Sequence, residues 1–459
     1  MEVGSLQKVA SLPPGSYVRT LSKSRDLLAL HDFLPERYPF LLESVTRGSP
    51  RARYDILFAF PEASISLMVG EPRKDSFFDA LDGWWQETYV RDAAPLLPFL
   101  GGWFLYLGYE LASEIEPTLS LPAANDGFPI ALATRIPAAI VRDNERNETH
   151  LVAEAGRAEL LDALEDDFKS ADVIQPLSGP DDPLLSAPLF ETSAEHYLNG
   201  VQRVQSYIEA GDVFQVNLSR LWEGNLKDAL THAEIYARLR KYNPAPFAGL
   251  VTYGKRAILS SSPERLVERR GPLVQTRPIA GTRPRGTDIS SDLGHAQNLL
   301  AHPKERAEHV MLIDLERNDL GRVAIPGSIA VDEFMGIESY AHVHHIVSNV
   351  RGETRAETTP GEIIRAVFPG GTITGCPKVR CMEIIAELEG VGRGPYTGAI
   401  GYLNRNGDMD LNILIRSIIR DENRVSIRTG AGIVADSVPT RELGETRDKA
   451  HGMIRALTG

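Results

Sequence analysis

The sequence predicts an α+β protein, with antiparallel sheets and helices on the outside. Two observations carry that expectation. Strand-like runs arrive mostly as hairpins, which antiparallel pairing permits. After residue 192 the elements read α-β-β-β-α-α-β-β-α, not the strict alternation of a parallel sheet.

In chain order, the first half mixes strands such as "YDILFAF" with aromatic-rich segments around Trp84, Trp85 and Trp103. It shows few clustered polar groups. "IQPLSGPDDPLLSAPLFET" (174–192) is rich in Pro, Ser and Asp and has no helical or strand period, so it reads as a linker. The expected division is 1–173, linker 174–192, and 193–459. Beyond the linker, "AEHYLNGVQRVQSYIEAGD" is amphipathic and "FQVNLSRLWEG" alternates as a strand. "RAILSSSPERLVERRGPLVQTRPIAG" reads as a strand pair joined at Arg269–Gly271, ending in a Pro/Gly loop that holds Ala280, Gly281 and Thr282. "PKERAEHVMLIDLERNDLGRV" is a helix with Pro303 in its first turn. "DMDLNILIRSIIRDENRVSIRTGAGIVADS" reads as one long hairpin turning at Asp421–Asn423. "TRELGETRDKAHGMIRAL" closes the chain as a helix.

The chain has 459 residues, 42% hydrophobic and 24% charged, as in an ordinary globular protein. A net charge of −13 argues against a nucleic-acid surface. No apolar run reaches membrane-spanning length. The opening residues lack a signal peptide's basic flank and apolar core. Cys376 and Cys381 are the two cysteines, too few for a disulfide framework or a thiolate zinc site. A cytoplasmic protein is expected.

Four constellations could do chemistry. Glu305 and Glu308 lie at i and i+3 on a helix face that continues into Leu312 and Leu315. Glu442, Glu445 and Lys449 share a face of the last helix. Four carboxylates on two helices suit a hard cation such as Mg²⁺; a solvated surface with a Glu445–Lys449 ion pair is the other reading. Glycine-rich backbone at Gly370, Gly371, Gly430 and Gly432 can cradle an anion, with Lys378 or Arg416 adding charge, or can simply form a turn and a bulge. In "YAHVHHIVSNV", His345 shares a strand face with Val343 and Val347, as a catalyst or a core histidine, while His342, His344 and His345 lack metal spacing. Glu264 follows a Ser-Pro turn, where an acid can be held dry and protonated or form a capping salt bridge.

Taken together, "SSPERL", "TRPIAGT", "AEHVMLIDLERND", "GGTITGCPKVRCMEI" and "GAGIVADS", in that order, resemble the chorismate-utilising enzymes. These include anthranilate synthase component I, aminodeoxychorismate synthase component I, isochorismate synthase and salicylate synthase. The resemblance implies two large packed antiparallel β-sheets with helices outside, an N-terminal anthranilate synthase component I-like region, and a chorismate-binding catalytic region over 193–459. It implies Glu308 and Glu445 as Mg²⁺ ligands supported by Glu305 and Glu442. It implies a grip on chorismate by Tyr396, Arg416, Lys449 and the backbone of Gly281, Gly430, Ala431 and Gly432. Thr282 would touch the ring or its leaving group, Glu264 would protonate the departing C4 hydroxyl, and His345 would be the active-site histidine.

Within the family, water-using members carry a lysine base where this chain has Gln215. A neutral amide cannot deprotonate water, so the resemblance implies ammonia from a glutamine amidotransferase partner. Ala280 stands where many aminodeoxychorismate synthases carry a nucleophilic lysine, and alanine there is the anthranilate synthase pattern. "NPAPFAGL", "ILSSSPERL", "PGGTITG" and "DLNILIR" resemble aminodeoxychorismate synthase instead. The expectation is therefore component I of an alanine-bearing aminodeoxychorismate synthase subgroup, acting in 4-aminobenzoate and folate biosynthesis. Anthranilate synthase component I is the alternative. A non-catalytic chorismate or tryptophan sensor, or an interaction scaffold, would not need the retained acids. "FLLES" (Phe40–Ser44) resembles a tryptophan-binding segment, which points to Leu42, Glu43 and Ser44.

Overall fold

The structure is a computed structural model that describes residues 16–46, 53–71, 75–91, 97–170, 182–286, 288–339 and 343–459. The opening residues, the linker's 174–181 and His342 fall outside the described residues.

Among the described residues, strands form two antiparallel sheets, one of twelve strands and one of ten. The first runs β1 (Ser16–Leu21), β8 (Glu148–Glu154), β7 (Ala138–Asp143), β3 (Tyr54–Ala59), β2 (Phe40–Glu43), β11 (Phe247–Tyr253), β12 (Arg256–Ser262), β21 (Ser417–Asp421), β22 (Arg424–Ile433), β10 (Gln215–Asn225) and β18 (Gly375–Cys376), with β9 (Phe190–Glu191) beside β10. The second runs β15 (Ile279–Pro284), β17 (Val343–Glu353), β14 (Leu273–Thr276), β13 (Arg265–Arg270), β20 (Met409–Ile413), β19 (Ala399–Asn404), β5 (Gly102–Leu107), β6 (Ala131–Ile136) and β4 (Ser64–Leu67), with β16 (Ala330–Ser339) beside β17. Both sheets draw strands from both sides of the 174–192 segment.

The helices are α1 (Leu28–Phe33), α2 (Phe77–Thr88), α3 (Ala112–Ile115), α4 (Glu159–Ser170), α5 (Ala194–Glu209), α6 (His232–Tyr242), α7 (Ile289–Ala301), α8 (Pro303–Gly321), α9 (Pro360–Val367), α10 (Lys378–Glu389) and α11 (Pro439–Thr458). Local chemistry sets their starts. Thr231 and Glu234 form a reciprocal cap on α6, Thr359 and Glu362 do the same on α9, and Pro303 opens α8. None of these helices is long and apolar enough to cross a membrane.

Strand alternation sorts the apolar residues into three layers. Between the sheets, Phe40, Phe58, Val141 and Ile258 meet Phe104, Tyr106, Ile400 and Tyr402, with Phe40 stacked on Phe104 at 4.0 Å. On the outer face of the first sheet, Leu57, Leu259, Ile418 and Ile427 pack against Leu239 of α6 and Met453 of α11. On the outer face of the second, Leu105, Val267 and Leu411 pack against Leu81, Ile313 and Ile364. The α+β expectation with two packed sheets is what the chain adopts.

Two stretches expected as continuous strands are instead broken by sheet-to-sheet crossings. β12 ends at Ser262 in the first sheet, and after Pro263 the chain continues as β13 in the second. The segment read as one long strand from Asp408 breaks at Leu414–Arg416, so that β20 lies in the second sheet and β21 in the first. Arg416 takes a left-handed backbone, φ 54°, to make that break. The crossings bond to each other: Ser261 N–H donates to Arg416 O at 3.1 Å, and Ile413 N–H donates to Glu264 O at 3.0 Å. The β13–β14 turn and the Glu422–Asn423 turn between β21 and β22 lie where expected.

Candidate active site

The site is built where these crossings meet the edge of the second sheet. The segment expected as a loop, Ala280–Thr282, is strand β15 paired to β17, because β17 is long enough to take it as an edge partner. Its register slips between Ala280 and Thr282, leaving Gly281 as the extra residue of a bulge with φ 59°. The bulge turns Gly281 O toward His345 Nδ1 at 3.3 Å. His345 sits opposite Thr282 on β17 and is buried. Burial, joined by the nearby Arg416 and Lys449, pushes its imidazole down to about 4, so it is neutral at physiological pH.

Helix α8 lies across this edge. A side chain at Gly281 would meet Glu305 Oε2 at 2.8 Å, so the first acid of the helix abuts the bulge. Glu305 pairs with Arg283 at 3.2 Å. Glu308 follows one turn later and is half-buried, and the face continues into buried Leu312 and Leu315, as the spacing predicts. Beyond them, Glu316 and Asp319 are buried with Lys378, whose ammonium lies 2.6 Å from Asp319. Lys378 is thus committed to an interior ion pair.

The third wall is β22 and α11. Gly430 and Gly432 share one strand face, while Ala431 turns into the core beside Leu218 and Ile433. Lys449 donates to Gly430 O at 3.1 Å and pairs with Glu445 at 2.6 Å, the i,i+4 ion pair that spacing allowed. Glu442, on the same helix, is buried. Tyr396 is buried beside Gly430, and burial pushes its phenol up to about 12. Arg416 makes no ion pair among the described residues. Burial lowers its affinity for its proton, while Glu445 and Tyr396 oppose that.

Glu264 closes the floor at the first crossing. It is 6% exposed and accepts a hydrogen bond from Thr372 Oγ1 at 2.6 Å. Burial pushes its carboxyl up to about 7, against the pull of the Thr372 bond and of Lys449. That is a carboxylic acid poised to give up a proton near neutrality.

Not every expected residue is gathered. Among the described residues no three His, Cys, Asp or Glu side chains converge to hold a metal. Glu305 and Glu445 each hold a side-chain cation instead. The donors remain all-carboxylate, which fits a hard cation that takes one or two carboxylates and fills its shell with water and substrate oxygens. Gly370 and Gly371 are glycines for packing: a Cβ on Gly371 would collide with Leu315, and one on Gly370 would come within 2.8 Å of Ile413. Gln215 is buried at the start of β10. Thr282 lies in β15 opposite His345. Ala280, next to the bulge, offers only a methyl group.

Sequence reasoning missed Thr372, which holds Glu264, and the buried pair Glu389–Arg393 at 2.7 Å, which braces β10 through Ser219 and the Asn217 carbonyl. Thr372 lies in the same glycine-rich run as Gly370, so its neighbours gave a signal. Arg393 gave none.

A second cavity, of about 440 Å³, is lined by Leu42, Glu43 and Ser44 with Phe247, Arg270 and Asp410. Glu264, Thr372, His345, Arg416 and Lys449 do not line it. Glu43 pairs with Arg240 at 3.0 Å, and Ser44 Oγ donates to Pro246 O at 2.8 Å.

Residues 40–455 match the family described as chorismate binding enzyme. Aminodeoxychorismate synthase component 1 of Bacillus subtilis is 50% identical over 272 residues, covering 59% of this chain and 57% of that protein. Anthranilate synthase component 1 of Thermus thermophilus is 40% identical over 448 residues, covering 92% and 93%. The crystal structure of anthranilate synthase component I from Streptococcus pneumoniae superposes with a TM-score of 0.78 at 31% identity, covering 89% of this chain and 93% of that one.

Proposed function

This chain belongs to the chorismate-binding enzyme family, and from that premise we propose that it is component I of an aminodeoxychorismate synthase, joining ammonia to chorismate to give 4-amino-4-deoxychorismate. The observation that carries the amination is the pairing of a buried acid, Glu264, with a buried neutral amide, Gln215, where water-using relatives need a base. The choice of product is supported by the 50% identity to the Bacillus subtilis enzyme and by the segments "NPAPFAGL" and "DLNILIR".

In this reading the two carboxylates of chorismate meet Arg416, Lys449, the Tyr396 hydroxyl and the strand backbone at Gly430–Gly432. Charge-assisted bonds from the guanidinium and ammonium supply both affinity and orientation. Mg²⁺ held by Glu308 and Glu445, with Glu305 and Glu442 behind them, would offset the charge of the substrate. Glu264 delivers its proton to the C4 hydroxyl, which leaves as water, and nitrogen ends at C4. Ala280 offers no nucleophile, so no covalent enzyme intermediate forms there. Ammonia would come from a glutamine amidotransferase subunit. The cavity at Leu42–Ser44 would hold tryptophan, a reading supported by the "FLLES" resemblance and by walls that mix apolar and charged groups.

Anthranilate synthesis is the second reading. Ala280 favours it, as does a Thermus thermophilus protein of that name that is 40% identical over 92% of this chain. In that reaction nitrogen ends at C2, pyruvate leaves, and neutral His345 is available as the base. One experiment separates the two. Chorismate, Mg²⁺ and ammonium should give little fluorescent anthranilate, and added aminodeoxychorismate lyase should then release 4-aminobenzoate. Anthranilate and pyruvate in equal amounts without the lyase would establish the second reading.

A further inference from the structure

We propose that Asn217 binds the nitrogen nucleophile and sets its orientation, an inference that rests on the ammonia reading above. Strand β10 alternates. Val216 and Leu218 enter the core with Ala431 and Ile433, which leaves Gln215, Asn217 and Ser219 on the opposite face. Ser219 is consumed, its N–H and hydroxyl both donating to Glu389 at 2.9 and 2.7 Å. Asn217 and Gln215 are not. Each is more than nine-tenths buried, and among the described residues neither Asn217 Oδ1 nor Gln215 Oε1 has a hydrogen-bond partner. Buried acceptors are costly to leave unpaired, so two on one face mark a place kept for a donor.

The surroundings hold Asn217 still. Its backbone N–H donates to Thr374 O at 2.9 Å, and its carbonyl accepts from Arg393 Nη2 at 2.7 Å. Facing it is Gly430, where a Cβ would lie 2.6 Å from Asn217 Oδ1 and 2.8 Å from the Tyr396 hydroxyl. A Cβ on Gly432 would collide with the Gln215 amide. At both glycines the β22 backbone therefore lies directly against the two carboxamides, beside the residues assigned to grip chorismate.

The donor that fits is ammonia. The carboxylates of chorismate are acceptors and gain nothing from carbonyl oxygens. Ammonia has N–H groups to donate and one lone pair. With its N–H groups held by Asn217 and Gln215, the lone pair is left for the ring. As the carbon–nitrogen bond forms, nitrogen becomes cationic and the same two oxygens stabilise it. The carbon–oxygen bond to the leaving hydroxyl breaks, the oxygen takes the proton of Glu264 and departs as water. The surplus proton on nitrogen passes to solvent, and Glu264 regains one from solvent. Water could occupy the same place but would need a base to lose its proton, and two amides supply none.

The test is steady-state kinetics on the full chain with Mg²⁺, varying ammonium chloride at saturating chorismate and then the reverse. Asn217→Leu keeps the side-chain volume and removes the acceptor. It should raise the KM for ammonium by about tenfold or more, as for one lost hydrogen bond, and leave the KM for chorismate within about twofold. Asn217→Asp keeps the acceptor oxygen and should hold the ammonium KM within about threefold of the parent. Should the leucine variant unfold, Asn217→Ala carries the same expectation. An unchanged ammonium KM, or a rise confined to chorismate, overturns the assignment. A parent enzyme that consumes chorismate with no need for ammonium overturns the proposed function itself, which separates the two failures.

Discussion

A carboxyl group with one hydroxyl donor and little water around it keeps its proton to neutral pH, and Glu264 is in that position. Replacing it by Gln keeps the shape and removes the proton. We expect Glu264→Gln to lower kcat by about 10²–10⁴-fold with chorismate KM little changed. The parent's kcat should fall as pH rises through about 7, where the acid form is lost. Stability gives an independent reading. The unfolded group titrates near 4.5 and the folded one near 7, so the folded state holds the extra proton between them. Parent stability should therefore decline as pH rises across that window, by up to roughly 3 kcal/mol, while the Gln variant shows no such decline in thermal unfolding. Glu264 was legible in the sequence because a Ser-Pro turn marks the end of its strand. Asn217 was not. Within an alternating strand a polar residue reads as solvent-facing, and only pairing with Gly432, about two hundred residues on, shows that its face is interior.

Both α8 and α11 were legible as helices, and on α8 the acids at i and i+3 followed by leucines marked the side that turns inward; on α11 the buried side follows Leu443, Thr446, Ala450 and Met453 instead, and Glu445 stays exposed. The crossings at Pro263 and Leu414 were not, because the residues on both sides of each favour strand and nothing local says which sheet each half joins. The bulge in β15 was hidden for a related reason: "PIAGT" is turn chemistry until a longer strand captures it. That bulge gives a prediction at this scale. Gly281→Ala places a Cβ 2.8 Å from Glu305 Oε2 and 2.9 Å from Leu299, at a φ of 59° that alanine resists. We expect a loss of about 1–2 kcal/mol in chemical unfolding. We also expect a larger loss of activity than stability explains, since the bulge positions His345 and abuts Glu305. Activity falling only in proportion to the folded fraction would show the bulge to be purely structural.

At the scale of the whole molecule, the composition break near residue 174 marks a change in chemistry along the chain, while both sheets use strands from either side of it. β2 lies between β3 and β11, and β5 lies between β19 and β6. A chain starting at residue 193 would bare the edges of β11 and β19 and lose most of the core between the sheets, including Phe40, Phe58 and Phe104. We expect that fragment to lack cooperative thermal unfolding and to aggregate; a sharp transition with a monomeric profile on gel filtration would contradict this. The same interleaving sets a clock on biosynthesis. Leu105 pairs with Gly401, and Leu42 with Gly249, so early strands leave the ribosome long before their partners exist. At about 5–20 residues per second, β5 spends on the order of 15–60 s as a half-paired apolar strand. A newborn chain of this protein is thus, for that interval, a natural client for chaperones that shield unpaired strand edges.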